Sequence, residues 1–250
     1  MALKKERGIV IQSLDFGDSD RMISLAGETE IRMKFISKGI RKSKRRAIAS
    51  TELGSLIEID YYEQNEKDWK SIKEINLVNR YDELKSSYLG TLLVFYFCEM
   101  ISTLYPEGES HPFLQQILVG SFEYADKHGF SPVLLPFFKL RALANLGHFP
   151  TEFFCHSCGE SVLSKKSAYF ALENREFLCG DCHTLPRDQL PMIKLFQILL
   201  THRFSKVLDF NPSSEILKEA DLIMNQFLRT ITGKEMKSYF EFYKTIGDSF

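Results

Sequence analysis

The chain has 250 residues, of which 44% are hydrophobic and 13% aromatic, enough to bury a sizeable core over one large or two small domains and to exclude a disordered polymer. Its most apolar run, Tyr88 to Cys98, meets Glu99 well short of the about 20 residues a membrane span needs, so a buried helix is expected there and no membrane partner. The formal charge of −1 suggests no polyanion partner, yet it conceals an asymmetry: Met1 to Arg46 carries 12 Lys+Arg against 6 Asp+Glu, a net of +6 that leaves −7 for the remainder.

Up to about Val78 the pattern predicts short strands. Ile9 to Ile11, Arg21 to Leu25, Glu30 to Ile36, Leu56 to Tyr62 and Ser71 to Val78 are rich in β-branched or aromatic residues, with Asp15-Phe-Gly-Asp and Glu63-Gln-Asn-Glu as breaks. Ile31, Met33 and Phe35 alternate with Arg32 and Lys34, and Ile57, Ile59 and Tyr61 with Glu58 and Asp60, which marks strands with one wet face. Five such strands in about 80 residues suit a small closed barrel of the OB-fold kind. Asp15, Asp18 and Asp20, grouped before the second strand, read as loop acids and not as a metal nuclease site.

Between the third and fourth strands Lys38, Arg41, Lys42, Lys44, Arg45 and Arg46 put six cations into nine residues, with no acid from Ile31 to Thr51. A solvated loop is the plain reading of such a run. On a small barrel, however, it is a phosphate-binding edge, with aromatic faces nearby to stack bases, so nucleic acid is the expected partner. The candidates for stacking, Phe35, Tyr61 and Tyr62, are not separable from core residues by pattern.

After Arg80 the period becomes helical. Pro112 to His128 closes at Gly129, and Ser131-Pro132 opens a helix that stops at Gly147. Lys139 and Arg141 stand in the otherwise apolar stretch Leu134 to Leu146, as two exposed cations on a core helix or as part of a groove for an acidic peptide. Cys98 reads as a buried small hydrophobe.

Next come Cys155, Cys158, Cys179 and Cys182, two C-x2-C pairs with twenty residues between them. Each pair can place two thiolates on one ion, and the segment between them can run out and back as a hairpin with arms Tyr169 to Leu172 and Arg175 to Leu178. Gly159 suits the left-handed turn of such a knuckle. The expected cofactor is one structural Zn²⁺, since four thiolates leave no open position for catalysis. Two disulfides or a thioredoxin-like pair are the alternatives, and His156 or His183 can replace a thiolate. The N-terminus shows no signal-peptide core, so a reducing, cytoplasmic setting is expected, and it favours metal. Finally Ile216, Ala220, Ile223, Phe227 and Ile231 form an apolar stripe closed by Gly233.

The fold class expected is therefore α+β and multidomain: a five-stranded OB-fold over residues 1–80, then a mainly helical domain over 81–250 with a zinc hairpin inserted at about 150–186. Phe16-Gly-Asp-Ser-Asp-Arg-Met-Ile-Ser-Leu25, Ser37-Lys-Gly-Ile-Arg-Lys42, and Phe137 to Gly147 leading to Cys155-His-Ser-Cys-Gly159 occur in the order found in the bacterial RecO recombination mediators. The chain resembles that family over nearly its whole length. Gly233-Lys-Glu-Met-Lys-Ser238 is similar to its final segment, with Tyr239 where arginine is usual.

The resemblance implies a protein that binds single- and double-stranded DNA and anneals complementary strands. With RecR it helps to replace single-strand-binding protein by RecA, and the acidic tail of single-strand-binding protein is the peptide expected near Lys139 and Arg141. No enzyme activity is expected, in keeping with the lack of a G-x-x-x-x-G-K-[ST], H-E-x-x-H or G-x-S-x-G motif. A zinc-containing DNA-binding transcription factor is the alternative, without a helix-turn-helix that stands out.

Overall fold

Five strands close on themselves in the computed structural model, which describes residues 3–44, 48–62 and 69–246. They are β1 (Leu3–Phe16), β2 (Asp20–Gly27), β3 (Ile31–Ser37), β4 (Leu56–Tyr62) and β5 (Lys70–Asn79), in the barrel order β1-β2-β3-β5-β4. Every seam is antiparallel except β3–β5, and this is the closure of an OB-fold. The first strand serves two seams, pairing β4 from Leu3 to Ile9 and β2 from Gly8 to Phe16. Its register skips at Ile11, a bulge that lets one strand bend around the barrel. At the crossing Gly8 faces Gly27, and a Cβ on Gly8 would stand 2.5 Å from the Ala26 carbonyl oxygen, so only glycine fits.

Val10, Ile23, Leu25, Met33, Phe35, Ile57, Ile59, Tyr61, Ile72 and Ile75 fill the barrel, with Phe35 and Tyr61 in edge-to-face contact at 5.0 Å. The first strand begins six residues before the apolar run that announces it. Its polar start, Lys4 to Arg7, is held by main-chain pairing to β4, which needs no apolar side chains.

Strand gives way to helix between Asn79 and Asp82. There follow α1 (Asp82–Ser86), α2 (Tyr88–Leu104), α3 (Pro112–His128), α4 (Leu134–Asn145), the hairpin β6 (Ala168–Ala171) and β7 (Glu176–Cys179), then α5 (Leu190–Thr201), α6 (Phe204–Val207), α7 (Ser214–Thr232) and α8 (Lys237–Ile246). By compactness the chain divides into a unit up to Phe130 joined by Met236–Ile246, and a second unit Ser131–Glu235.

In the first unit α2 and α3 pack on β1, and Cys98 on α2 is 1% exposed, its thiol facing the Val10 carbonyl at 3.8 Å and pushed up to about 12 by burial. Glu99, which interrupts the apolar run, does not end α2. Its carboxylate accepts from the backbone N–H of Lys237 at 3.1 Å and of Ser238 at 2.9 Å, and so caps the start of α8. In the second unit α4 is buried on nearly all sides and packs against α5 and α7, so it is the central helix. Gly233 ends α7 in the left-handed conformation, as the stripe before it anticipates.

Candidate metal centre and nucleic-acid interface

The cysteine pairs sit on two tight turns. In the first, the Gly159 N–H donates to the Cys155 carbonyl at 2.9 Å with Gly159 at φ +71; in the second, the N–H groups of Cys182 and His183 donate to the Cys179 carbonyl at 3.2 and 3.1 Å. The β6–β7 hairpin, paired from Ala168↔Cys179 to Ala171↔Glu176, delivers Cys179 to the first turn. A bridge between Cys155 and Phe177 holds that turn beside β7.

All four Sγ atoms lie within 4.8 Å of one another, and Cys158 and Cys179 are 3.9 Å apart. Disulfide sulfurs stand about 2.05 Å apart. A tetrahedral four-thiolate ion with bonds of about 2.3 Å spaces its sulfurs by about 3.8 Å. The cysteines are free thiols, and the arrangement fits one metal ion held by all four.

The environment favours a thiolate at Cys155 and opposes one at Cys182. Burial opposes ionisation of Cys155, but the backbone N–H groups of Cys158, Cys179 and Ser157 outweigh it and bring the thiol down to about 6. Cys182, hydrogen-bonded to the sulfurs of Cys179 and Cys158, is pushed up to about 12, which is what four crowded sulfurs do when protons must be shared among them. His156 and His183 are not in the cluster: His156 faces Glu176 at 3.3 Å, and His183 Nε2 meets Ser157 Oγ at 2.6 Å. Lys165 ties the turns together, pairing with Glu160 beside the first and with Asp181, at 2.9 Å, in the second. Those pairs, Glu160 first, raise its ammonium above the usual lysine range.

The basic loop is built by one inward residue. Gly39, at φ 65, turns the chain so that Ile40 drops into the barrel core at 1% exposure, and the single 3-10 turn Ile40–Lys42 then faces Arg41 and Lys42 outward. Lys38, Lys42 and Lys44 are exposed; Arg45 and Arg46 lie outside the described residues.

Acids of the β1–β2 turn fix this geometry. The Asp20 carboxylate accepts from the Gly39 N–H at 2.8 Å and the Ser19 hydroxyl at 2.9 Å, and these bonds, helped by the Lys38 charge, hold it below the usual aspartate range. Asp15 binds Arg21 at 2.8 Å and Arg41 at 3.3 Å. Thus two of the three loop acids seen in the sequence, Asp15 and Asp20, are structural partners of the cationic edge, and Arg21 joins that edge although no charge run announced it.

Three expected residues are placed elsewhere than a surface role requires. Phe35 and Tyr61 are core residues at 0% and 3% exposure, leaving half-buried Tyr62 among the aromatics considered, whereas Phe16, at the tip of the β1–β2 hairpin, is 52% exposed. Lys139 is not a surface cation. It is 0% exposed, pairing with Asp221 at 2.5 Å and donating to Asn225 Oδ1 at 2.8 Å; burial draws its ammonium below the usual lysine range and Asp221 opposes that. Arg141 is half-buried over the Phe137 ring. It donates through Nε to the Leu199 carbonyl at 2.8 Å and through Nη2 to the His202 carbonyl, at the C-terminal end of α5. Of the two cations of this apolar helix only Lys139 is sealed inward, and a lone charge there needs a partner.

Residues 1–81 match the family model described as Recombination protein O N terminal, and residues 86–240 match Recombination protein O C terminal. The chain is 63% identical over 248 residues to the DNA repair protein RecO of Leptospira biflexa serovar Patoc (strain Patoc 1 / Ames), an alignment covering 99% of this chain and 100% of that one. The DNA repair protein RecO of Syntrophotalea carbinolica is 25% identical over 233 residues, covering 92% and 90%. That of Acetivibrio thermocellus is 22% identical over 247 residues, covering 97% and 96%.

Proposed function

The chain belongs to the RecO family of DNA repair proteins, which are recombination mediators, and on that premise we propose that it binds single- and double-stranded DNA through the cationic edge of its barrel and anneals complementary strands. With RecR as partner it helps RecA onto DNA coated by single-strand-binding protein. The observation that carries this reading is the loop from Lys38 to Lys44, its lysines exposed and its fold anchored by Ile40 and Asp20. Phosphates held there are screened from those of an incoming strand, so pairing needs positioned charge and no acid–base residue.

The ion of the cysteine turns is Zn²⁺, bound by Cys155, Cys158, Cys179 and Cys182 and structural, because all four positions are filled by protein. Four reduced thiols accord with a cytoplasmic setting. Among the described residues no helix is long and apolar enough to cross a membrane.

The test is the salt dependence of binding to single-stranded DNA. If about four of the six cations contact phosphates, the loop contributes a slope of about −3 in log affinity against log salt, at about −0.7 per phosphate. Replacing Lys42, Lys44, Arg45 and Arg46 with alanine flattens that slope and slows annealing, with zinc content unchanged. Equal affinity, slope and annealing rate in the quadruple variant would move the DNA site off this loop.

A further inference from the structure

Asp15 is half-exposed at the end of β1, and each of its carboxylate oxygens is taken by a different arginine. Oδ1 accepts from Arg21 Nε at 2.9 Å and Nη2 at 2.8 Å; Oδ2 faces Arg41 Nη2 at 3.3 Å. Both guanidiniums have a second, neutral anchor. Arg21 Nη1 donates to Thr51 Oγ1 at 3.2 Å, and Arg41 Nη1 donates to the Gly17 carbonyl at 3.1 Å. The two forks are therefore aimed at one point by groups other than the acid between them.

We propose that Arg21 and Arg41 form a two-guanidinium phosphodiester site that Asp15 holds closed in the free protein, its carboxylate standing where the phosphate binds. The proposal rests on the nucleic-acid reading of this edge and adds to it a residue, Arg21, and an internal competitor. A phosphodiester shares one negative charge between two non-bridging oxygens, as a carboxylate does, and Arg binds both with the same fork geometry. Exchange of one anion for the other leaves the Thr51 and Gly17 anchors in place. Because the displaced carboxylate stays attached beside the site, it re-pairs as soon as a phosphate leaves, so bound DNA is released faster than the loop's charge alone allows. A protein that must hold one strand and then give up a finished duplex gains from that.

Single-stranded oligonucleotide binding, measured against salt, tests the site on the full-length protein. Asp15→Asn frees both arginines: affinity at low salt rises by about three- to tenfold, the slope steepens by about 1.4, two phosphates at about 0.7 each, and dissociation slows. Asp15→Ser, which is smaller and keeps a polar group, does the same. In an Arg21→Gln/Arg41→Gln background neither change has an effect.

Asp18→Asn is the control for net charge. It removes the same charge from the same exposed turn and leaves the slope as it was. An unchanged slope in both Asp15 variants overturns the proposal, and so does a gain equal to that of Asp18→Asn or one that persists without the two arginines. Any of those results leaves the loop reading standing if replacement of Lys42, Lys44, Arg45 and Arg46 still flattens the slope. If that replacement has no effect either, the reading of the edge itself has failed.

Discussion

The cations of the barrel loop and those of α4 are the same two residue types put to opposite uses. Lys38, Lys42 and Lys44 stand in water around a single buried anchor, Ile40, while Lys139 is sealed in the second unit against Asp221 and Arg141 is spent on the carbonyls at the end of α5. Density separates the cases. Six cations in nine residues without an acid among them cannot all be buried with partners of their own; one lysine in an apolar helix is tolerable only with its own carboxylate. On the proposed reading, charge at the first place acts on a partner, whereas charge at the second acts on the fold.

The comparison breaks first at the cysteines, two buried and two exposed, whose four sulfurs are turned toward one another. Cys155→Ser removes one ligand of the proposed zinc site, and the expected loss is on the order of 5 kcal/mol or more in the second unit, with zinc content falling to near zero. Metal analysis and thermal unfolding measure both. A variant that keeps stoichiometric zinc and its melting temperature would show that the two turns hold without a full ligand set.

Next in size is Lys139→Met. It leaves Asp221 buried without its cation and costs about 3–5 kcal/mol, while Lys139→Met/Asp221→Leu recovers much of it, because removing both charges also removes the need to desolvate them. The fourfold loop substitution, by contrast, changes the melting temperature little. Denaturant unfolding of the three variants places each on the same scale. If the loop variant loses as much stability as Lys139→Met, exposed and sealed cations are not different in kind.

What the sequence discloses of all this follows the range of the interactions. Cys155 to Cys182 are legible because a C-x2-C turn is decided within a few residues, and the alternation of Ile31, Met33 and Phe35 is legible for the same reason. The partner of Lys139 lies 82 residues away and the carbonyl met by Arg141 58 residues away, and no local pattern records either. Phe35 and Tyr61 fail as stacking candidates on similar grounds: strand alternation says that they share a face, and only barrel closure says that the face is inside. Asp15 and Asp20 were visible as loop acids, but the pairing of their turn with the basic loop is a product of the β1-β2-β3 order.

Arg141→Gln is expected to have an intermediate effect, and it sharpens the comparison within α4 itself. Two carbonyls at the end of α5 lose a charged donor, at a cost of about 1–2 kcal/mol, and hydrogen exchange quickens in the last turn of α5, before His202, without global loosening. A tail peptide of single-strand-binding protein whose affinity falls in this variant while α5 keeps its protection would instead restore Arg141 as a partner contact.

The smallest effect concerns Asp20, where the loop's shape depends on an acid. Its carboxylate binds best when ionised, since the Gly39 N–H and the Ser19 hydroxyl both donate to it, and these bonds hold its folded value below the ordinary one. A depressed folded value means that the contribution is fully present above the ordinary aspartate range and is lost as pH falls through the lower, folded value. Protection of the Gly39 amide from exchange should therefore persist at neutral pH and fade only in acid, with a melting temperature that hardly changes, because the group is only half-buried and well solvated. Asp20→Asn keeps an acceptor for the Gly39 N–H but cannot ionise, so the amide's protection becomes independent of pH over the same range. Protection that fades in acid in the Asn variant as it does in the parent would show that another group sets the loop, with Ile40 in the barrel and the bonds of Arg41 to Asp15 and the Gly17 carbonyl as the remaining anchors.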